Sequence, residues 1–551
     1  MKNLKKTAVF LLAVAMIFSV LAGCGTQQEN NAPETTSAAS TQNTSTVAED
    51  PLKDHMEISL AMWGIGEALV EGVQDAVRDQ LFQKLNITIK PVNVTWDDYT
   101  QKIQVWAASS QLPDMFAIDS IGTQNYKNWI EQGIVHVLPD DLSPYPEVQK
   151  MMNGNGMDIY KYPMGDENGK FYAIPRLNHF SVDDWSTDNG MQVRKDWMEN
   201  VGITKEPENM DEFIELMKAF VEKDPDQNGK KDTIGLTCYN ADWLTWFMSA
   251  YEPGMLGGIN WVKDPENSGQ WIPAFMTKNA LEGLKAIKKL YDAGGLDKDF
   301  ATLKSEEGRN KYAANKAGAY AHDVTPSTLS YVAQQFEKNN PDKKYKDVVT
   351  VLKPFKNVND GQYYRLIANP AWSETYINAK TDDKKIDRIL RLFDYVLGEE
   401  GYNLIHFGIE GTDWKKDGDK IVLTPKKDAS GNEIPVSTTY PFTKCGFIAE
   451  WSGTRQWTNP STEPELQKMS SDLNDWLQAN AKPIPTDLRV PLLDVPDKDK
   501  ATAKFQDIVI KCVLSNDVEK TWNDLVKEYR ANGYDKLIEE INAKCAELGI
   551  Q

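Results

Sequence analysis

The sequence predicts an α/β protein on three observations. Strand-like and helix-like apolar patterns alternate from residue 56 onward, the runs have strand and helix lengths, and 41% of the 551 residues are hydrophobic. A chain of this length suggests about two to four packed units. Met56–Trp63 reads as a strand, Glu67–Lys84 as an amphipathic helix, Ile87–Val94 as a second strand and Trp96–Ser110 as a second helix. Leu112–Ile118 reads as a third strand, followed by a helix over Gln124–Gln132. Such alternation favours a largely parallel sheet, whose ligands sit beyond the carboxyl ends of the strands. Trp63 and Asp119 occupy that edge.

Before these elements comes a different texture. Three lysines within Met1–Lys6, an apolar run over Ala8–Ala22 and the small residues of Leu21-Ala22-Gly23-Cys24 read as a signal peptide over residues 1–23. The apolar run is short for a membrane span. The Leu-Ala-Gly-Cys sequence resembles the bacterial lipobox, which implies that the Cys24 thiol is diacylated and holds the protein on the outer face of the membrane; more than one acyl chain is needed for a stable anchor. Residues 24–50, rich in Ser, Thr, Gln and Asn, read as a disordered tether of on the order of 25–30 Å.

The net charge of −20, which loss of the three leader lysines takes to −23, argues against a nucleic-acid partner. Cys238, Cys445, Cys512 and Cys545 are widely spaced and form no C-x-x-C pair, which argues against zinc. Export permits disulfides among them, and buried free thiols are the other reading. No nucleophile elbow, H-E-x-x-H, P-loop or G-x-G-x-x-G sequence is present, and the five histidines are scattered. These observations argue against an enzyme.

Asp224-Pro225-Asp226-Gln227-Asn228-Gly229-Lys230-Lys231-Asp232 carries the pattern of a calcium loop. Side-chain oxygens of Asp224, Asp226, Asn228 and Asp232 stand at relative positions 1, 3, 5 and 9, Gly229 provides the turn, and Lys230 offers its carbonyl. Gly235 stands where a bidentate glutamate would complete the loop, so a structural Ca2+ would bind weakly and need a further ligand. The plainer reading is an Asx-rich turn that ends a helix.

Several segments in order resemble the family-1 extracellular solute-binding proteins of bacterial ABC importers, the maltose-binding-protein-like carbohydrate receptors. They are the strand ending at Met62-Trp63, Ala107–Asp114, Trp129–Ile134, Phe171–Arg176, Val193–Ile203, Met210–Phe213, Asn315–Tyr320, Gly398–Tyr402 and Phe407–Gly411. The resemblance implies a two-lobed periplasmic-binding-protein-like fold with an interlobe cleft, a hinge and, here, an extended C-terminal segment. On that mapping residues 51–173 plus 345–413 form the N-terminal lobe, and 174–344 plus 414–551 the C-terminal lobe. It further implies a monomeric, lipid-anchored receptor, in a Gram-positive cell, that captures an oligosaccharide by hinge closure and delivers it to ABC permease subunits.

A sugar ring offers an apolar face and a rim of hydroxyls, so its site wants aromatic platforms edged by carboxylates, amides and arginines. Sixteen tryptophans supply candidates. By position at the lobe edges these are Trp63, Asp119, Arg176, Asn178, Trp243, Trp246, Asp323 beside His322, Trp372, Glu410 and Trp451, with Trp457 nearby. Trp106, Trp129 and Trp197 lie at helical spacing among apolar neighbours and read as core. Arg176, Arg194, Arg365 and Arg455 would suit a local basic cleft, which leaves a neutral sugar, a uronide oligomer and a peptide open as ligands. A secreted carbohydrate-active enzyme is the rival from another class.

Overall fold

The computed structural model describes residues 50–95, 98–154, 157, 170–267, 269–418, 420–431 and 433–551. The signal peptide, Cys24 and all but the last residue of the tether lie outside the described residues. The strands to residue 377 are β1 (Met56–Trp63), β2 (Ile87–Val94), β3 (Met115–Ile118), β4 (Ile174–Leu177), β5 (Gly190–Arg194), β6 (Ile234–Cys238), β7 (Trp261–Lys263), β8 (Trp271–Pro273), β9 (Ala317–His322), β10 (Val349–Val351), β11 (Tyr363–Arg365) and β12 (Ala371–Ile377). Most of them build two sheets, one ordered β2-β1-β3-β12-β4 and the other β10-β5-β9-β6.

In the first sheet β1 runs parallel to β2 and β3, with Met56 opposite Ile87 and Trp63 opposite Val94. Ile58 and Leu60–Trp63 are all buried, as expected of a strand covered on both faces. The expected helix Glu67–Lys84 is interrupted. A short turn of helix at Ile65–Ala68 ends, Gly72 takes a left-handed φ of 77°, and the main helix starts afresh at Ala76–Leu85 with Asp75 as its cap. The Asp75 carboxylate accepts the Arg78 amide at 2.9 Å, a cap that outweighs apolar periodicity across the break.

The second sheet pairs β5 antiparallel with β9 and β10, and β6 parallel with β9. One large core joins its strands to the helices Met210–Glu222 and Lys278–Asp292 and to the C-terminal helices Phe505–Val513, Val518–Tyr529 and Asp535–Leu548. A second cluster, with Tyr312, Tyr320, Tyr345 and Leu473, takes in the helix Pro464–Asn480.

The chain crosses between the two sheets three times: after β4, between β10 and β12, and after Ala449. These places differ from the expected ones. β4, expected to open the second lobe, pairs with β12 in the first sheet, and β10, expected in the first lobe, joins β5 in the second. Residues after 413 do not all go to the second lobe either, because Tyr440, Phe442, Cys445, Ile448 and Ala449 bury against the first sheet. The crossing segments hold one another. Asn178 N–H donates to Pro370 O at 2.7 Å, Ala368 N–H to Val182 O at 3.3 Å, and Trp451 N–H to Leu177 O at 2.7 Å.

Candidate functional site

The three crossings converge on a cleft of about 340 Å³ lined by Asn178, His179, Asp188, Asp323, Thr325, Ser327, Thr328, Trp372, Trp451 and Gln456. Its first wall is aromatic. β1 ends on Trp63, which is completely buried, and the Trp372 ring from β12 stacks on it with centroids 5.6 Å apart and planes 25° from parallel. Trp451, placed by the third crossing, lies 5.4 Å from Trp372 and 6.2 Å from Trp63, and stacks on Phe447 at 5.1 Å. Its indole N–H donates to the Trp372 carbonyl at 3.0 Å, which fixes the ring. Trp372 keeps 36% of its surface exposed, a large apolar face open to a partner.

Arg176 lies behind this wall. Its guanidinium stands 5.3 Å from the Trp63 ring centroid and 5.7 Å from that of Trp451. It donates to Ser373 Oγ at 2.7 Å, Thr375 Oγ1 at 3.0 Å and the Ile448 carbonyl at 3.3 Å. Burial draws its pKa down to about 10, so it stays charged at neutral pH. Expected to reach a sugar, Arg176 instead braces the rings, because β4 turns its side chain into the sheet. Glu374, next along β12, is also buried; it accepts Ser120 N–H and Tyr376 O–H at 3.1 Å each. Burial, then the charge of Asp119, push Glu374 up to about 8. Asp119 itself is exposed after β3 and is not among the lining residues.

The second wall is polar. His322, at the end of β9, packs 4.3 Å from Trp243 and 4.4 Å from Tyr239, and its Nδ1 lies 3.1 Å from Asp323 Oδ2. The other Asp323 oxygen accepts the Thr325 hydroxyl at 2.7 Å and the Thr325 amide at 3.2 Å. Thr325 in turn caps the helix Pro326–Asn339, so Ser327 and Thr328 reach the cleft from its first turn. Asp188, just before β5, pairs with His179 Nε2 at 3.1 Å. Burial raises the Asp188 pKa, the His179 contacts lower it, and the neighbouring charges of Asp323 and Asp184 raise it further.

Between the walls, Asn178 Oδ1 and both side-chain amide atoms of Gln456 are buried without a hydrogen-bond partner among the described residues. A buried amide atom left alone costs about 1–3 kcal/mol, a cost that a bound polar ligand or water removes.

The cleft thus gathers Asn178, Asp323, Trp372 and Trp451 among the expected residues, with Trp63 directly beneath and Trp243 one layer behind. Others are elsewhere. Trp246, 2% exposed, packs among Phe213, Phe247 and Phe355 in the second core. Glu410 is exposed and bridges Trp414, beside a satellite cluster of Tyr402, Phe407 and Trp414. His179, Asp188, Thr325, Ser327, Thr328 and Gln456 escaped the sequence reading; Thr325-Pro326, a helix-start pair two residues after Asp323, was the one signal that could have found some of them. Another cavity of about 270 Å³, between His136–Asp140 and Asp383–Asp387, carries neither stacked tryptophans nor a crossing segment.

The Asp224–Asp232 loop follows the helix Met210–Glu222. Asp224 accepts the amides of Asn228 at 3.1 Å and Gly229 at 2.9 Å, while Asn228 Nδ2 donates to Asp226 at 2.8 Å and Asp232 at 3.1 Å. Burial, then a side-chain hydrogen bond with Asp224, raises the Asp226 pKa. Among the described residues no group of three or more His, Cys, Asp and Glu side chains is placed to hold a metal ion. The four remaining cysteines are buried free thiols.

Comparison with known proteins places this geometry. A family model described as bacterial extracellular solute-binding protein matches residues 65–403. The polygalacturonan/rhamnogalacturonan-binding protein YtcQ of Bacillus subtilis is 28% identical over 357 residues, 63% of this chain and 66% of that protein. Lipoprotein LipO of the same organism is 28% identical over 339 residues, 60% of this chain and 63% of its own. The match therefore spans less than two thirds of the length of these relatives. Among solved structures, the Streptococcus pneumoniae ABC-transporter substrate-binding protein FusA in complex with kestose superposes with a TM-score of 0.65 at 16% identity, covering 90% of this chain and 99% of that one.

Proposed function

We propose that this chain, which belongs to the bacterial extracellular solute-binding protein family, captures an oligosaccharide in the cleft and delivers it to the permease of an ABC importer. The observation that carries the reading is the pairing of a braced tryptophan platform with a wall of carboxylates, hydroxyls and amides across three chain crossings. The rings supply area to the apolar face of a sugar, and the polar wall takes its hydroxyls. Each wall belongs to a different sheet. A ligand that touches both favours the closed arrangement by its differential affinity, and the hydrogen-bonded crossings are the natural hinge. The permease reads the closed shape.

The Leu21-Ala22-Gly23-Cys24 sequence supports a lipid anchor on the extracellular face of the membrane, a reading in keeping with the name of the LipO relative. The ligand spacing of the acidic loop suits calcium, although its described carboxylates do not stand as a formed metal site. Asp224, Asp226 and Asp232 would hold it with Asn228 and the Lys230 carbonyl, its part being to pin the loop after the helix. Calorimetric titration against oligosaccharides and peptides, with product analysis of the same mixtures, tests the reading. Saturable sugar binding without sugar cleavage supports it; cleavage supports a carbohydrate-active enzyme, and peptide binding alone removes the ligand class.

A further inference from the structure

We infer that the cleft takes a neutral oligosaccharide and rejects uronates, an inference that rests on the oligosaccharide reading above. Asp188 and Asp323 line the cleft, and among its described lining residues there is no lysine or arginine. The four arginines that would suit a basic cleft are turned elsewhere. Arg176 is spent on Ser373, Thr375 and the Ile448 carbonyl. Arg194 holds Asp196 at 2.7 Å, and Arg365 holds Asp183 at 2.6 Å. Arg455 holds Glu450 at 3.0 Å and the Leu397 carbonyl at 2.7 Å, with its guanidinium over Tyr402 at 3.8 Å.

A carboxylate on the ligand would therefore enter a sheltered space that holds Asp323 and the His179-paired Asp188 and, among its described lining residues, no lysine or arginine to receive it, with the acidic charge of the whole chain adding to the repulsion. A neutral sugar meets the opposite situation. Its hydroxyls donate to the carboxylates and to Asn178 Oδ1, and the Gln456 amide offers both a donor and an acceptor.

The test is calorimetry on the purified chain at pH 7.5 and low salt with two panels of matched chain length. One holds neutral fructo-, gluco-, manno-, xylo- and galacto-oligosaccharides; the other holds galacturonate, glucuronate and alginate oligomers. The expected result is a neutral ligand bound at least about 100-fold more tightly than any uronate. Asp188→Asn with Asp323→Asn should narrow that ratio by about tenfold or more. If the double variant does not fold, the ranking by the unmodified chain decides alone. A uronate as the tightest ligand would overturn the inference and leave the oligosaccharide reading standing. Peptide binding with neither panel bound would overturn the reading itself and this inference with it.

Discussion

Across the cleft, Trp372 and Trp451 present ring faces over a buried support of Trp63 and Arg176, whereas Asp323 and Thr325 present oxygens held within one turn and Asp188 presents oxygens held by His179 of the first crossing. The first wall is continuous with the core of the first sheet, so its shape is set by packing. The second sits on loop ends and one helix start, so its chemistry can change with little effect on the fold. Stability and affinity should accordingly separate between the walls.

The largest effect tests the support. Trp63→Ala removes a completely buried ring and should lower stability by about 3–5 kcal/mol in urea unfolding, with loss of sugar binding. A small stability change would mean that the platform does not rest on the core. Next comes the buried carboxyl beside Arg176. Glu374 is held protonated in the fold, with its pKa raised from 4.5 to about 8. The unfolded chain releases that proton near pH 4.5, so this contribution is fully present below that pH, declines as pH rises towards about 8, and is absent above. Glu374→Gln should flatten the decline between pH 5 and pH 8 by about 4 kcal/mol. Equal slopes in the two proteins would show that Glu374 ionises freely in the fold.

Trp372→Ala probes the exposed face of the same wall. Binding should weaken by about 1–2 kcal/mol, roughly five- to thirtyfold, while the unfolding midpoint barely moves. A large loss of stability instead would make Trp372 part of the support. The smallest effect lies away from both walls. Chelating calcium should lower the melting temperature by about 1–3 °C, a shift that Asp226→Asn should remove. Identical melting with and without chelator, at calcium concentrations up to the millimolar range, would leave the acidic loop as a simple turn.

The sequence makes the first sheet legible and the crossings illegible for definite reasons. β1 matches its expected bounds because a strand covered on both faces reads as an apolar run, and the half-buried edge strand β2 matches because its β-branched residues alternate with polar ones at the start. β4 is four residues long and contains Pro175, which suggests a loop. It is an edge strand, where the missing N–H of proline can be tolerated, and so the first crossing was misplaced. β10 is only three residues long and carries no pattern of its own. Among the tryptophans, Trp246 and Trp372 both stand beside polar residues in the sequence, yet one is core and the other opens onto the cleft. Burial of that kind depends on partners more than 100 residues away, such as Phe355 for Trp246 and Trp63 for Trp372. Asp188 and Gln456 sit in connecting segments without periodicity, and only the folded crossings bring them together.

The most direct measurement is a tryptophan fluorescence titration with the tightest oligosaccharide, run on the unmodified chain and on Trp372→Ala with Trp451→Ala, with the sugar analysed afterwards. A saturable one-to-one change in the unmodified chain, lost in the double variant, with the sugar recovered intact, is the expected result. No saturable change, an unchanged response in the double variant, or cleaved sugar would contradict capture between these two walls.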